Sequence, residues 1–153
     1  MELSSDLLEF IQFLNQRRVE YLVVGGWAFS LHARPRYTKD VDILVRRSAE
    51  NAALLMEILK DFGFGAVGVS AEDFLRPGYV IQLEFEPNRI DLLTDIVRVD
   101  FESAWTRRGT FQHQGVSMNV ISKQDLLANK LAAGRDQDLV DAKTLQKLLQ
   151  GKS

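Results

Sequence analysis

The chain has no cysteine at any of its 153 positions. That excludes disulfides, thiolate metal centres and cysteine nucleophiles, and it is compatible with a reducing compartment. A dominant charge is missing as well. Nineteen basic residues against 21 acidic ones leave a formal net charge of -2, so no global field draws the protein to nucleic acid or to an anionic membrane, and any basic contact surface has to be local. No apolar run approaches the roughly 20 residues of a membrane span. The opening MELSSDLLEF carries acids where a signal peptide carries basic residues, so the expected location is cytoplasmic, without a membrane partner. Repeats, low-complexity tracts and linkers are also lacking. With 46% hydrophobic and 26% charged residues, the composition is that of a globular protein. The length fits a single domain over residues 1–153, with an α/β core at about 20–121 and a helical C-terminal part at about 122–150.

Hydrophobic periodicity places the elements. Leu7, Leu8, Ile11 and Leu14 recur with helical spacing behind Ser4 and Ser5, which predicts an amphipathic helix to about Gln16. Tyr21 to Val24 reads as a strand ended by Gly25 and Gly26, and Trp27 to Ala33 as a short helix before Pro35. Val41 to Val45 is a strand, and Ser48 to Phe62 a helix stopped by Gly63. Phe64 to Gly78 is expected to be loop with at most a helical turn. Tyr79 to Phe85 and Ile90 to Asp95 flank EPNR, whose Pro and Asn favour a reversal, so a hairpin is expected. A short helix around Phe101 to Trp105 leads to a second hairpin, Thr110 to His113 and Val116 to Ile121, turning at Gln114 and Gly115. Ser122 caps a helix to about Ala133 that Gly134 ends, and a last helix runs from Asp138 to Leu149 with Leu139, Ala142, Leu145 and Leu149 facing inward.

The stretch TKDVDILV breaks this apolar pattern with Asp40 and Asp42. Residues two apart on a strand share a face, so the two carboxylates are neighbours by construction. Their repulsion calls for a shared proton, cationic side chains or a divalent metal. A hard cation such as Mg²⁺ suits an oxygen-only donor set. An isolated acidic pair also reads as a solvated strand end neutralised by Arg36, Lys39 or Arg46. Two further features bear on the choice. Gly25 and Gly26, between a strand and a helix, let backbone N–H groups approach an anion, although the pair matches neither the Walker pattern nor the dinucleotide fingerprint. Asp91, in RIDLL, is a third acid inside an apolar strand; beside Asp40 and Asp42 it would complete a ligand set for one or two Mg²⁺ ions, and otherwise it pairs with Arg89 at a hairpin end. Asp95 ranks behind it. Arg34, Arg36 and Lys39 crowd the loop before the acidic pair, as binders of a triphosphate or polynucleotide acceptor or as plain counter-ions. His32 reads as structural. Trp27 and Phe29 suit the core, with base stacking an alternative that Tyr37 shares.

In order and spacing, VVGGWAFSLHARPRYTKDVDILV, RIDLLTDI and KLAAGRDQDLVD resemble the nucleotidyltransferase superfamily typified by DNA polymerase β, in its minimal bacterial branch, and are similar to AbiEii-type nucleotidyltransferase toxins. The resemblance runs from about Tyr21 to Leu149. It implies a polymerase β-like α/β (α+β) fold, a mixed sheet flanked by helices and followed by C-terminal helices. It further implies that Asp40, Asp42 and Asp91 hold Mg²⁺ and serve catalysis, and that Gly25, Gly26, Lys130 and Arg135 bind the nucleotide. Asp138 and Asp141 match acidic positions just after that arginine. Many relatives have Gly-Ser where this chain has Gly25 and Gly26, which removes one hydroxyl contact. The implied activity is transfer of a nucleoside monophosphate from a nucleoside triphosphate to a hydroxyl of a transfer RNA end, a protein or a small molecule. A toxin–antitoxin or phage-defence role with a cognate partner belongs to the same resemblance. The alternatives are a non-catalytic nucleotide-binding module and a Mg²⁺-dependent nuclease. Lys130 and Arg135, five residues apart with Gly134 between them, need not share a face; a solvated Lys130 and an Arg135 paired with Asp138 or Asp141 is the plainer reading.

Overall fold

A computed structural model describes residues 2–65 and 68–151; the loop expected at 66 and 67, and positions 1, 152 and 153 of the expected domain, lie outside the described residues. Helix α1 (Ser5–Gln16) starts where Ser4 Oγ accepts the Leu7 N–H, and its stripe Leu7, Phe10, Ile11 and Leu14 is buried. Strand β1 (Tyr21–Val24) is buried along its whole length and runs straight into α2 (Gly25–His32). Strand β2 (Asp40–Val45) leads to α3 (Ala49–Asp61), capped by Ser48. A 3₁₀ turn (Ala71–Leu75) precedes β3 (Val80–Phe85) and β4 (Asn88–Leu93). Helix α4 (Phe101–Thr106), β5 (Gly109–His113) and β6 (Val116–Val120) follow, then α5 (Lys123–Ala133) and α6 (Asp136–Leu149).

The strands form one mixed sheet in the order β3-β4-β2-β1-β6-β5. The pairs β1–β2, β3–β4 and β5–β6 are antiparallel, whereas β1–β6 and β2–β4 are parallel. The core joins the apolar stripes of α1 and α3 to the sheet, with Phe10 against Phe62 and Phe85 at ring-centroid distances of 5.5 and 5.3 Å. Trp27 and Phe29 are core residues, as their apolar context predicts. Among the described residues no helix is long and apolar enough to cross a membrane.

Several boundaries move, each for a local reason. The first hairpin turns on Glu86 and Pro87 alone: Asn88 pairs with Phe85 and Arg89 with Glu84. Asn88 is held in the strand because its buried amide accepts the Ser4 N–H and donates to the Lys39 carbonyl. The same strand ends at Leu93 and not Asp95, where Thr94 Oγ1 accepts the Tyr79 N–H and donates to the Arg76 carbonyl. The second hairpin turns on Gln114 and Gly115, both at positive φ (50° and 80°), which matches the twist of a two-residue reversal. Helix α2 begins at Gly25, two residues before Trp27. Helix α6 begins at Asp136, because the Asp138 carboxylate accepts the Arg135 N–H and caps the turn.

The inward face of α6 also differs from the expected one. Leu139 and Leu149 are 44% and 41% exposed, and the buried positions are Asp138, Asp141, Ala142 and Leu145. Two carboxylates thus point inward, and cations meet them. Asp141 accepts from Arg36 Nη1 and Nη2 (2.8 and 3.1 Å) and from Gln137 Nε2 (2.8 Å), with Lys130 Nζ at 2.9 Å. Asp138 meets Lys130 Nζ at 3.5 Å and Arg135 Nε at 2.7 Å. Lys130, itself buried, and Arg36 both approach the face of Phe29. This network fastens the C-terminal helix pair to the loop between α2 and β2. Burial by itself pushes the Asp141 carboxyl up, but hydrogen bonds from Arg36, Lys130 and Gln137 outweigh it and bring it down to about 2. Its contribution to stability is therefore complete above the ordinary aspartate range and is lost as pH falls through about 2.

Removing one partner of a buried ion pair strands the other, so Asp141→Ala is expected to lower the unfolding free energy by roughly 3 kcal/mol in urea titrations at neutral pH. Between about pH 4 and pH 2 the wild type is expected to lose stability more steeply than the variant, and parallel acid profiles would count against this role of Asp141.

Candidate active site

The parallel pairing of β2 with β4 sets Asp42 opposite Asp91 and Asp40 opposite Arg89. Residues paired across strands share a face, and residues two apart along each strand share it too, so these four side chains form one charged patch. The antiparallel pairing of β1 with β2 sets Val24 opposite Asp42, so the chain enters α2 beside that carboxylate. Gly25 takes φ +65°, and a Cβ there would lie 2.6 Å from Asp42 Oδ2. At Gly26 a Cβ would come within 3.0 Å of Thr38 Cγ2. Both glycines therefore keep the start of α2 against the acidic strand. The N-cap position, Val24, offers no side-chain acceptor to the first-turn N–H groups, which leaves them for a ligand or solvent.

Charge on the patch is unevenly compensated. Burial, reinforced by the neighbouring Asp91 and Asp40 charges and only partly offset by Arg89 and Arg135, pushes the Asp42 carboxyl up to about 6. Arg89 spans the other two acids: Nε donates to Asp91 Oδ1 (2.9 Å), and Nη2 donates to Asp91 Oδ2 (3.2 Å) and Asp40 Oδ2 (3.0 Å). Asp40 Oδ1 is buried without a hydrogen-bond partner. Among the described residues, no three acidic or histidine side chains are arranged to hold a metal ion as they stand. The donor set nevertheless fits a hard divalent cation: three carboxylates, an orphaned buried oxygen and excess negative charge at Asp42.

Next to the patch lies a cavity of about 290 Å³, lined by Val24, Gly25, Gly26, Asp42, Leu93, Ile96, Val97, Asn129, Lys130, Ala133, Arg135 and Asp138. It brings the diglycine, one of the paired acids and both C-terminal cations to one place. The two cations differ. Lys130 is 5% exposed and held between Asp138 and Asp141, whereas the Arg135 side chain is 82% exposed despite its bond to Asp138. Arg135 does pair with Asp138, as the plainer reading of the sequence held, but Lys130 is not a solvated helix lysine. Asp40 and Asp91 stand outside the cavity lining, on the sheet beside Asp42. Arg36 and Asp141 are not among the lining residues and bind each other, and Lys39 is exposed, giving its carbonyl to Arg89 N–H. His32 is structural, with Nε2 at 2.6 Å from the Ile121 carbonyl. Arg89 does pair with Asp91, the alternative that the sequence offers for that acid, and what sequence reasoning missed is its second partner, Asp40, because EPNR reads as a turn and not as a strand beside β2.

In structure, the chain resembles a proposed nucleotidyltransferase from Thermotoga maritima, with a TM-score of 0.57 at 20% identity over 96% of this chain and 92% of that one. It also resembles the antibiotic-resistance factor ANT(2'')-Ia, with a TM-score of 0.59 at 12% identity, covering 96% of this chain and 86% of that one. A third similar structure is the lincosamide antibiotic adenylyltransferase LnuA, with a TM-score of 0.54 at 16% identity over 95% and 98% of the two chains. At these identities the likeness establishes the fold, the mixed-sheet nucleotidyltransferase architecture of the polymerase β type. No curated protein matches the chain in sequence at a significant level. The sequence model described as a nucleotidyltransferase of unknown function (DUF6036) matches residues 2–150, and the chain belongs to that family.

Proposed function

We propose that this chain, as one catalytic unit, transfers a nucleoside monophosphate from a nucleoside triphosphate to an acceptor hydroxyl, with release of pyrophosphate. The observation that carries the reading is the pairing of Asp42 with Asp91 directly beside the uncapped start of α2. Asp40, Asp42 and Asp91 would hold one or two Mg²⁺ ions. The chemistry supplied by bound Mg²⁺ is neutralisation of phosphoryl-oxygen charge and acidification of the acceptor hydroxyl. The residues of the chain do the rest. First-turn N–H groups at Gly25 and Gly26 donate to phosphate oxygens, and Arg135, exposed at the cavity rim, clamps the triphosphate from the helical side. Lys130 adds fixed positive charge behind it, oriented by Asp138 and Asp141. The cavity walls Leu93, Ile96 and Val97 keep that end of the site apolar. Catalysis on this plan is mostly positioning and charge compensation.

The acceptor is a hydroxyl on an RNA end, a protein side chain or a small molecule. The finer form of the reading is an AbiEii-like toxin or phage-defence enzyme acting with a cognate partner. One observation favours a competing reading, a nucleotide-binding module without transfer: Arg89 already neutralises Asp40 and Asp91.

Incubation with each α-labelled triphosphate, Mg²⁺ and a bacterial extract is expected to label one acceptor class, and Asp42→Ala or Asp91→Ala to reduce labelling by about 10³-fold. Label-free extracts together with measurable nucleotide binding would support the binding module instead. Arg135→Ala is expected to raise the KM for the triphosphate by about tenfold while changing stability by less than about 1 kcal/mol, because the Arg135 side chain is solvent-exposed and buried Asp138 keeps the backbone N–H of residue 135 and Lys130 Nζ as partners.

A further inference from the structure

We infer that Arg89 is a built-in counter-cation of the carboxylate patch, which holds it together without metal and has to withdraw when a divalent cation binds. This rests on the proposed role of Asp40, Asp42 and Asp91 as a metal site. The guanidinium engages both oxygens of Asp91 and Oδ2 of Asp40, so three of the oxygens that would face a shared ion are turned to Arg89. The remaining Asp40 oxygen is buried and unpartnered. As it stands the patch offers no three-carboxylate nest, and Arg89 accounts for this by drawing Asp91 and Asp40 onto its planar fork.

Register also provides a place for the side chain to go. Arg89 sits directly opposite Glu84 of β3, on the same face of the sheet, and Glu84 is solvent-exposed. A rotation of the guanidinium from Asp40 and Asp91 toward Glu84 leaves two carboxylates for the incoming cation and gives Arg89 one exposed carboxylate in their place, without burying a charge. Arg89 and a divalent cation therefore compete for the same oxygens, and like charges at such range weaken each other's binding. Arg89 is thus a positioning residue that sets metal affinity, and Glu84 is its alternative partner.

Calorimetric titration with MgCl₂ alone, at constant ionic strength, tests this on the full chain without any activity measurement. Arg89→Met is expected to bind Mg²⁺ on the order of tenfold more tightly than wild type. The metal-free melting temperature of that variant is expected to fall by about 5 °C, and Mg²⁺ to raise it more than it raises that of wild type. Arg89→Lys, which keeps the charge without the fork, is expected to stay within about threefold of wild type in affinity. Glu84→Gln, lacking the alternative partner, is expected to bind Mg²⁺ a few-fold more weakly. If wild type binds Mg²⁺ and Arg89→Met binds it equally or less tightly, Arg89 does not compete with metal, and the proposed transferase reading stands without it. If neither chain binds Mg²⁺, the metal site and this inference fall together. Should Arg89→Met not fold, Arg89→Gln takes its place with the same expected direction.

Discussion

The parallel pairing of β2 with β4 is the constraint on which the rest of the site depends. One register places Asp42 beside Asp91 and Asp40 beside Arg89, and thereby concentrates three carboxylates and one guanidinium on a single sheet face. A slip by one residue would send one strand's charged set to the opposite, apolar side. The antiparallel neighbour β1 then delivers the diglycine to the same spot, where Gly25 has no room for a side chain against Asp42. Backbone topology, steric exclusion and charge thus meet at one point of the sheet.

The other half of the site comes from the C-terminal helices, and its logic is electrostatic. Buried carboxylates are costly unless cations and hydrogen bonds surround them. Asp138 and Asp141 meet that requirement through Lys130, Arg36 and Arg135, which makes α6 inseparable from α5 and from the loop leading into β2. The arrangement leaves Lys130 as fixed charge and Arg135 as the accessible one. It also explains why leucines at helical spacing stay partly outside: the inward stripe of α6 is occupied by carboxylates that have better partners inside than the leucines do.

Most of the secondary structure was legible because its signals are local. Serine caps, glycine stops and apolar periodicities act within a few residues, and α1, α3, α5 and the second hairpin follow them closely. The misplaced boundaries have distant causes. Asn88 and Arg89 join a strand instead of a turn because Asn88 reaches Ser4 and Lys39, 84 and 49 residues away. The inward face of α6 differs because Arg36, 105 residues from Asp141, takes part in its burial. Asp40 and Asp42 were recognisable as neighbours from strand alternation alone, and Arg89 as a partner of Asp91 from their spacing, whereas the hold of Arg89 on Asp40, 49 residues away, was not.

The amino-acid order by itself determined which residues are the candidates for the site: a diglycine between strand and helix, an acidic pair on one strand face, a third acid on a later strand, and a lysine and arginine around a helix-ending glycine. These follow from periodicity and backbone sterics, which reach only a turn or a strand along the chain. Which charges touch was decided by the tertiary structure, because strand order, register and helix docking depend on contacts dozens of residues apart. Only that level set a guanidinium between Asp40 and Asp91, buried Lys130 between two aspartates and left Arg135 in solvent.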